Sequence, residues 1–318
     1  MRLDNFDIRL LRVFVAVVEN GGFSAAQSRL GMGQSAISGK MGDLEDRLGM
    51  RLCERGRKGF SLTEEGRQVY DTTLKLLGHI AVFEEEAASI GHATVGHIRM
   101  GIIDTVATNP ECCLQEGLRQ FSLRYPKVSI NLAIMETTEI EAALLQGRLD
   151  VGICSSELEM DGLSYRRLFG ERQRLYAAPD HPVFALSGAP ADFSDLLDFQ
   201  IIGRGKAYGV TPLDGVHGLR TRADSAHMEG TVFLILSGEY IGYLPEHYAR
   251  VWVEQGRLRV LENPAFDYLN DFSLTLPRYG HCSVACSRML DELLAAHGLK
   301  KPLRPSSRKR LTELNGEG

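Results

Sequence analysis

The chain has 318 residues, a length that suits two or three domains and excludes a single ordinary domain. Hydrophobic residues make up 44% of it and charged residues 24%, as in a globular protein that folds in water. No apolar run is long enough to cross a bilayer, and the first ten residues lack the apolar core of a signal peptide, so we expect a cytoplasmic protein without membrane contact.

The net charge of -5 is unevenly distributed along the chain. Residues 1–62 contain ten Lys or Arg and seven Asp or Glu, which leaves this segment at +3 and the remainder at -8. A basic N-terminal segment followed by an acidic remainder is consistent with contact between that segment and a polyanion such as DNA.

A first helix is predicted over residues 6–19, where apolar residues recur at helical spacing. The stripe consists of Phe6, Leu10, Val13, Phe14 and Val17, and the glycines at 21 and 22 end the helix. We expect this helix to support the two that follow.

Two short helices follow, and they are joined by a turn that contains glycine. Ser24 is the predicted N-cap of the first, residues 31–33 break it, and the second begins at Gln34 or Ser35. The second has an apolar face with spacings of three and four, formed by Ala36, Ile37, Met41, Leu44 and Leu48. This arrangement predicts a helix-turn-helix, whose second helix enters the major groove of DNA.

A small hairpin is predicted after Gly49, because two short apolar arms flank the basic tip at residues 55–59. Such a wing can lie on phosphates or in a minor groove. Residues at the start of the second helix and around the wing are the candidate DNA contacts: Ser24, Gln34, Ser35, Ser38, Lys40, Arg51, Arg55, Arg57, Lys58 and Thr63.

The segment from Phe14 to Gly66 resembles the winged helix-turn-helix of the LysR-type transcriptional regulators. The matching pieces are Phe-Val-Ala-Val-Val-Glu, Gly-Phe-Ser-Ala-Ala, Gln-Ser-Ala-Ile-Ser, Leu-Glu-Asp-Arg-Leu-Gly and Leu-Thr-Glu-Glu-Gly, in one fixed order. Gly39 and Gly42 depart from the family by placing glycine inside the recognition helix, at a cost of about 1 kcal/mol of helix stability each. Cys53 stands where the family often has Phe.

A long helix is predicted from the N-cap Thr63 to about residue 90. Its apolar residues are more numerous than one exposed helix should carry: Val69, Leu74, Leu76, Leu77, Ile80, Val82 and Phe83. A solitary core helix and a dimerising linker helix both account for this pattern. The resemblance implies the second, in a homodimer that assembles further into a homotetramer.

The remainder alternates strands and helices. Strands are predicted at residues 97–103, 128–135 and 149–154, with helices at 111–125 and 139–146 between them, and this order indicates a parallel, doubly wound sheet. A second unit has strands at 175–178, 199–203, 219–223 and 240–244, with a helix at 228–236. Residues 272–276 are expected to pair across the two units, and 283–296 form a final helix.

Two such lobes resemble a periplasmic-binding-protein-like receptor, which the LysR family carries at this place. The predicted fold is therefore α/β overall, with an N-terminal winged helix-turn-helix, a long linker helix and a C-terminal two-lobed domain. The expected boundaries are 1–62 for the DNA-binding domain, 63–90 for the linker helix, 91–300 for the effector domain and 301–318 for a basic, disordered tail. The tail either is solvated or adds a phosphate contact.

Ligands of open α/β sheets bind beyond the carboxyl ends of the strands. The residues that directly follow the predicted strands or precede the next helix are thus the candidate effector contacts: Asp104, Thr105, Thr137, Thr138, Ser155, Gly203, Arg204, Ser225 and His227. Hydroxyl groups at helix starts together with cations favour a small polar or anionic effector, such as a carboxylate.

The expected function is sequence-specific binding of double-stranded DNA under the control of a small-molecule effector, with no cofactor and no metal. An enzyme is disfavoured, because the chain has no P-loop, no HExxH and no GxSxG. Two alternatives stay open: a ligand-free DNA-organising protein, and a redox sensor that uses Cys112 or Cys154. Six cysteines without zinc spacing otherwise indicate reduced, buried thiols.

Overall fold

The computed structural model describes residues 5–56, 59–89, 94–155, 159–186, 190, 192–204, 212–213, 216–278 and 282–299. The N-terminal head consists of α1 (Asn5–Glu19), α2 (Ala26–Leu30), α3 (Gln34–Leu48) and a hairpin of β1 (Cys53–Gly56) and β2 (Gly59–Leu62). The chain then forms α4 (Glu64–Ser89), a helix of 26 residues.

The apolar stripes of α1 and α3 pack against each other as predicted. Leu10, Phe14, Ile37 and Leu44 are fully buried. Two predicted members of these stripes lie outside the core, since Ala36 is exposed and Phe6 is 44% exposed. Phe6 lies at the open end of α1, where its ring is 6.0 Å from the Arg47 guanidinium carbon.

Helix caps in the head are partly as predicted. Thr63 caps α4: its hydroxyl accepts from the Gly66 N–H at 2.9 Å and donates to the Arg51 carbonyl at 2.7 Å. The predicted Ser24 cap is wrong, because the N-cap of α2 is Ala25, which is in helical conformation and makes no side-chain cap bond. Helix α2 therefore begins one residue later than predicted, so the Ser24 hydroxyl does not lie at the N-cap position.

The body is a nine-stranded mixed sheet in the order β4-β3-β5-β11-β6-β9-β7-β8, with β10 paired to β6. The strands are β3 (Gly96–Ile102), β4 (Val128–Ile134), β5 (Val151–Ser155), β6 (Leu163–Ala177), β7 (Gln200–Arg204), β8 (Arg220–Ser225), β9 (Tyr240–Pro245), β10 (Arg259–Val260) and β11 (Tyr268–Pro277). The helices are α5 (Leu114–Arg124), α6 (Thr137–Leu145), α7 (Met228–Leu236), α8 (Glu246–Glu254) and α9 (Val284–Ala296).

Parallel pairing within each half and antiparallel pairing between the halves produce two lobes. In the first lobe β3 runs parallel to β4 and β5, and in the second β7 runs parallel to β8 and β9. Strands β6 and β11 pair antiparallel from Leu163↔Pro277 to Gln173↔Tyr268 and so run through both lobes. Each lobe has its own apolar core on these strands.

The prediction for residues 175–178 is wrong in extent, because this strand is the end of the 15-residue β6. The middle of β6 carries several charged residues: Arg166, Arg167, Glu171, Arg172 and Arg174. Because of them, this segment does not show the alternation of apolar and polar residues that predicts a strand. Helix α8 and strand β10 were not predicted at all. Among the described residues, no helix combines the length and the apolarity of a membrane span.

Candidate DNA-binding surface and interlobe cleft

The start of α3 presents polar side chains to solvent. Gln34 and Ser35 are exposed, and Ser38 and Lys40 are partly exposed. They point outward because Ile37, Met41 and Leu44 hold the opposite face of the helix in the core of the head. The polar side of the first turn of α3 is thus open to solvent, as groove readout by a second helix requires.

Buried polar contacts hold α3 in a fixed orientation. Arg47 near its end forms an ion pair with the fully buried Asp7 of α1, and its Nη2 donates to Asp7 Oδ2 at 2.8 Å. Glu45 Oε1 accepts from the backbone N–H groups of Leu52 and Cys53 at 2.7 and 3.2 Å. These contacts connect α3 to α1 on one side and to the wing on the other.

The other predicted DNA contacts have diverse environments. Ser24 and Arg51 are exposed. Both hydrogen-bonding functions of the Thr63 hydroxyl are used within the chain. The side chain of Arg55, and Arg57 and Lys58 altogether, lie outside the described residues.

A small enclosed space lies between the two lobes. Its volume is about 10 Å³, room for about one water-sized group. It is lined by Ile103, Asp104, Thr105, Thr137, Ser155, Glu171, Met228, Asn270 and Phe272. The structure therefore brings together four residues of the predicted effector set, Asp104, Thr105, Thr137 and Ser155.

The remaining predicted effector residues are not part of this lining. Thr138 is exposed on α6, and Gly203 is packed against Thr221 within the second lobe. Ser225 Oγ donates to the carbonyl of His227 at 2.7 Å, a local contact before α7. The side chain of Arg204 lies outside the described residues. Their contact with an effector stays a prediction.

Sequence reasoning missed Glu171, Asn270 and Phe272, which come from the crossing strands β6 and β11. Glu171 and Asn270 are paired in the register of these strands. Both are polar residues buried in the middle of long strands, with 4% and 7% of their surface exposed. Asn270 could have been noticed as a polar residue inside β11, whereas the many charged residues of β6 hide Glu171.

Hydrogen bonds connect the lobes across the cleft. Asp104 Oδ2 accepts from the Met228 N–H at the start of α7 at 3.0 Å, and His227 Nδ1 is 3.8 Å from the same oxygen. Thr108 Oγ1 lies 2.8 Å from His247 Nδ1, and the other ring nitrogen lies 2.9 Å from Glu171 Oε2. The cleft is narrow because these contacts hold the lobes together.

Thr105 is the one non-glycine residue with positive φ in the described part of the chain, at 66°. Left-handed backbone is costly for a β-branched residue and is found mostly where the surrounding structure imposes it. Thr105 directly follows Asp104, so the strain lies at the wall of the cleft.

The buried cysteines have poorly nucleophilic thiols. Burial raises the pKa of the Cys112 thiol, and it raises the pKa of Cys154 to about 12. Reactive cysteines instead have lowered pKa values and some exposure. The alternative of a redox sensor based on Cys112 or Cys154 is therefore not supported.

Comparison with known proteins covers both parts of the chain. Residues 8–67 match the family model described as "Bacterial regulatory helix-turn-helix protein, lysR family", and residues 91–298 match "LysR substrate binding domain". The HTH-type transcriptional activator BauR of Pseudomonas aeruginosa is 39% identical over 267 residues, which cover 84% of this chain and 88% of BauR.

Solved structures share the whole architecture. A full-length OxyR variant from Pseudomonas aeruginosa is 20% identical, with a TM-score of 0.65 over 98% of this chain and 100% of that one. Full-length CbnR in complex with its target DNA is 18% identical, with a TM-score of 0.61 over 91% and 99% of the two chains. The predicted fold class is confirmed by these matches.

Proposed function

The chain belongs to the LysR family of DNA-binding transcription regulators, and from this premise we propose that it reads a specific operator with α3 and responds to a small polar effector in the interlobe cleft. Like its relatives, it is a transcription regulator with an effector-binding domain and not an enzyme. The proposal concerns which residues perform these two tasks.

The exposed first turn of α3 carries the DNA-binding part of the proposal. Gln34 pairs with an adenine edge and Ser35 with a neighbouring base, while Arg51 and the basic wing contact phosphates. The Asp7–Arg47 ion pair supports this reading, because it holds α3 rigidly against α1. Rigid positioning keeps the base contacts in register.

The effector part rests on the cleft, where residues of both lobes meet. Asp104 and Thr105 lie on the first lobe, Met228 begins α7 of the second, and Glu171 lies on a crossing strand. A ligand that replaces the hydrogen bonds between the lobes with its own contacts would change the angle between the lobes. In a dimer of dimers joined through α4, that angle sets the spacing of the recognition helices on the operator.

The test is fluorescence anisotropy of the purified protein with the DNA upstream of its own gene and with unrelated DNA of equal length, at one near-physiological salt concentration. We expect a large preference for the upstream DNA. Gln34→Ala should reduce that preference, whereas the matched variant Gln255→Ala, which changes an exposed residue of the second lobe, should not.

Equal affinity for both DNAs, with a steep salt dependence, would favour a ligand-free DNA-organising protein instead. If Gln34→Ala and Gln255→Ala had the same preference, the assignment of base readout to the start of α3 would be wrong.

A further inference from the structure

The cleft contains a buried amide without a partner. Asn270 is 7% exposed and lines the enclosed space, and its side-chain amide makes no hydrogen bond to the described residues. Buried polar side chains are nearly always hydrogen-bonded, so an unpaired one at a cavity wall indicates a position where a polar ligand group can bind. Phe272, two residues further along the same strand, lines the same space.

The charged groups around this amide are acidic. Asp104 and Glu171 are the charged residues in the described lining, with side chains that are 18% and 3% exposed. His247 contacts Glu171 and His227 lies near Asp104.

Both helix starts at the cleft are occupied by carboxylates of the protein itself. Asp104 from the first lobe accepts from the first N–H of α7, and Glu136 and Glu139 form a capping box at the start of α6. The positive ends of these helices are therefore already compensated. An added carboxylate would meet like charges here, contrary to the anionic effector that the sequence favours.

The enclosed volume limits the group that fits. About 10 Å³ holds one water-sized group, and an ammonium group has that size. An ammonium also carries three N–H donors and no acceptor. Asp104, Glu171 and Asn270 place side-chain oxygens at this space. Glu171 Oε1 already accepts from Gln173 Nε2 at 2.5 Å, and its Oε2 lies 2.9 Å from His247 Nε2. Each carboxylate oxygen has a second lone pair, so it can accept from an ammonium as well.

We propose that the effector carries a protonated amine, which binds between Asp104, Glu171 and Asn270. This inference rests on the proposed function, since it specifies the chemical class of effector for the same cleft. Thr105 and Thr137 contribute further oxygen acceptors to the wall.

The test uses three matched probes, n-propylammonium, propan-1-ol and propionate, titrated into the full-length protein by calorimetry at about pH 8 and constant ionic strength. We expect propylammonium to bind with a Kd of about 1 mM, which is weaker than the affinity ceiling for four non-hydrogen atoms, and the other two not to bind detectably. Asp104→Asn should weaken binding at least about tenfold. The asparagine oxygen can still accept from the Met228 N–H, so the lobe contact is retained.

Asp161→Asn is the charge-matched control, because Asp161 is exposed and outside the cleft lining. Asn270→Leu removes the amide at similar volume and should also abolish binding. Circular dichroism and DNA binding of each variant verify that it is folded.

Propionate binding without propylammonium binding would overturn the inference and leave the effector cleft in place. Absence of propylammonium binding, or equal binding to Asp104→Asn and the parent protein, would overturn it as well. Loss of operator preference in the anisotropy assay would contradict the proposed function itself, whatever the amine result.

Discussion

At the residue scale, the head depends on one buried ion pair. Asp7 is fully buried and Arg47 is its partner, half-exposed at the end of α3. Removing one member of a buried ion pair is costly, because the remaining charge loses the contacts of that pair.

Arg47→Ala should therefore lower the free energy of unfolding of the head by about 3 kcal/mol. Arg119→Ala, which removes an exposed pair with Glu116, should cost about 0.5 kcal/mol or less. Urea unfolding of the full chain, followed by circular dichroism, measures both. Similar losses in the two variants would contradict the structural role of the Asp7 pair.

The thiols provide a second residue-scale prediction. Cys282 is exposed, whereas burial raises the pKa of Cys154 from 9.0 to about 12. At about pH 8, iodoacetamide should modify Cys282 much faster than Cys154, because the thiolate is the nucleophile. Mass spectrometry of the labelled peptides measures the two rates, and equal rates in the folded protein would contradict this account.

The same pKa shift has a consequence for stability. The folded state holds the Cys154 proton more tightly than the unfolded state does, so the protonated thiol stabilises the fold below about pH 9. That contribution is lost as the pH rises towards about 12. Burial raises the pKa of Tyr176 to about 12 as well, and it acts in the same direction.

At the element scale, the linker helix α4 packs closely against the chain that enters the wing, and a glycine allows this close approach. A Cβ on Gly66 would lie 2.0 Å from the Leu52 carbonyl oxygen and 2.8 Å from its carbon, and both are backbone atoms that cannot rotate away. The first turn of α4 and the chain entering β1 can approach this closely only without a side chain.

Gly66→Ala should lower the melting temperature of the head and weaken operator binding, because α4 and the wing must separate. Gly78→Ala is the matched control in the same helix, where a Cβ meets no described atom within 4 Å. It should stabilise the helix by up to about 1 kcal/mol. Equal melting temperatures for the two variants would contradict the close approach.

The recognition helix contains two glycines that its own domain does not require. A Cβ on Gly39 or Gly42 meets no described atom within 4 Å. Gly39→Ala should therefore raise the stability of the DNA-free head by up to about 1 kcal/mol, measured by urea unfolding. A destabilised variant would show that the glycine serves the fold after all.

At the scale of the whole molecule, α4 leaves apolar surface uncovered. Its first half packs on the head through Val69, Tyr70 and Leu76, but Phe83 is 70% exposed in its second half. One chain does not bury this face, so we expect a second copy to cover it, as in the proposed dimer and tetramer.

Analytical ultracentrifugation should give a mass near four times 35.2 kDa. Phe83→Ser should shift the distribution towards smaller species, because it removes apolar area from the helix pair. Leu269→Ser is the control of similar exposure, at 73% on β11. An unchanged distribution for Phe83→Ser would contradict pairing through this part of α4.

The helix-turn-helix and the alternation of strands and helices follow from the sequence alone. Their signals are local: apolar residues three and four apart in α3, glycine at the breaks, a hydroxyl at the start of α4. Such periodicities report on residues that are neighbours in the chain. The carboxyl ends of the predicted strands also pointed to Asp104, Thr105, Thr137 and Ser155.

The tertiary structure decided what faces these residues. Glu171 and Asn270 enter the cleft only because β6 and β11 pair antiparallel through both lobes, in a register that joins residues about a hundred positions apart. Asp104 occupies the start of α7 through a contact between residues 104 and 228. No short-range pattern encodes either pairing, and this long-range geometry places Glu171 and Asn270 beside the predicted Asp104.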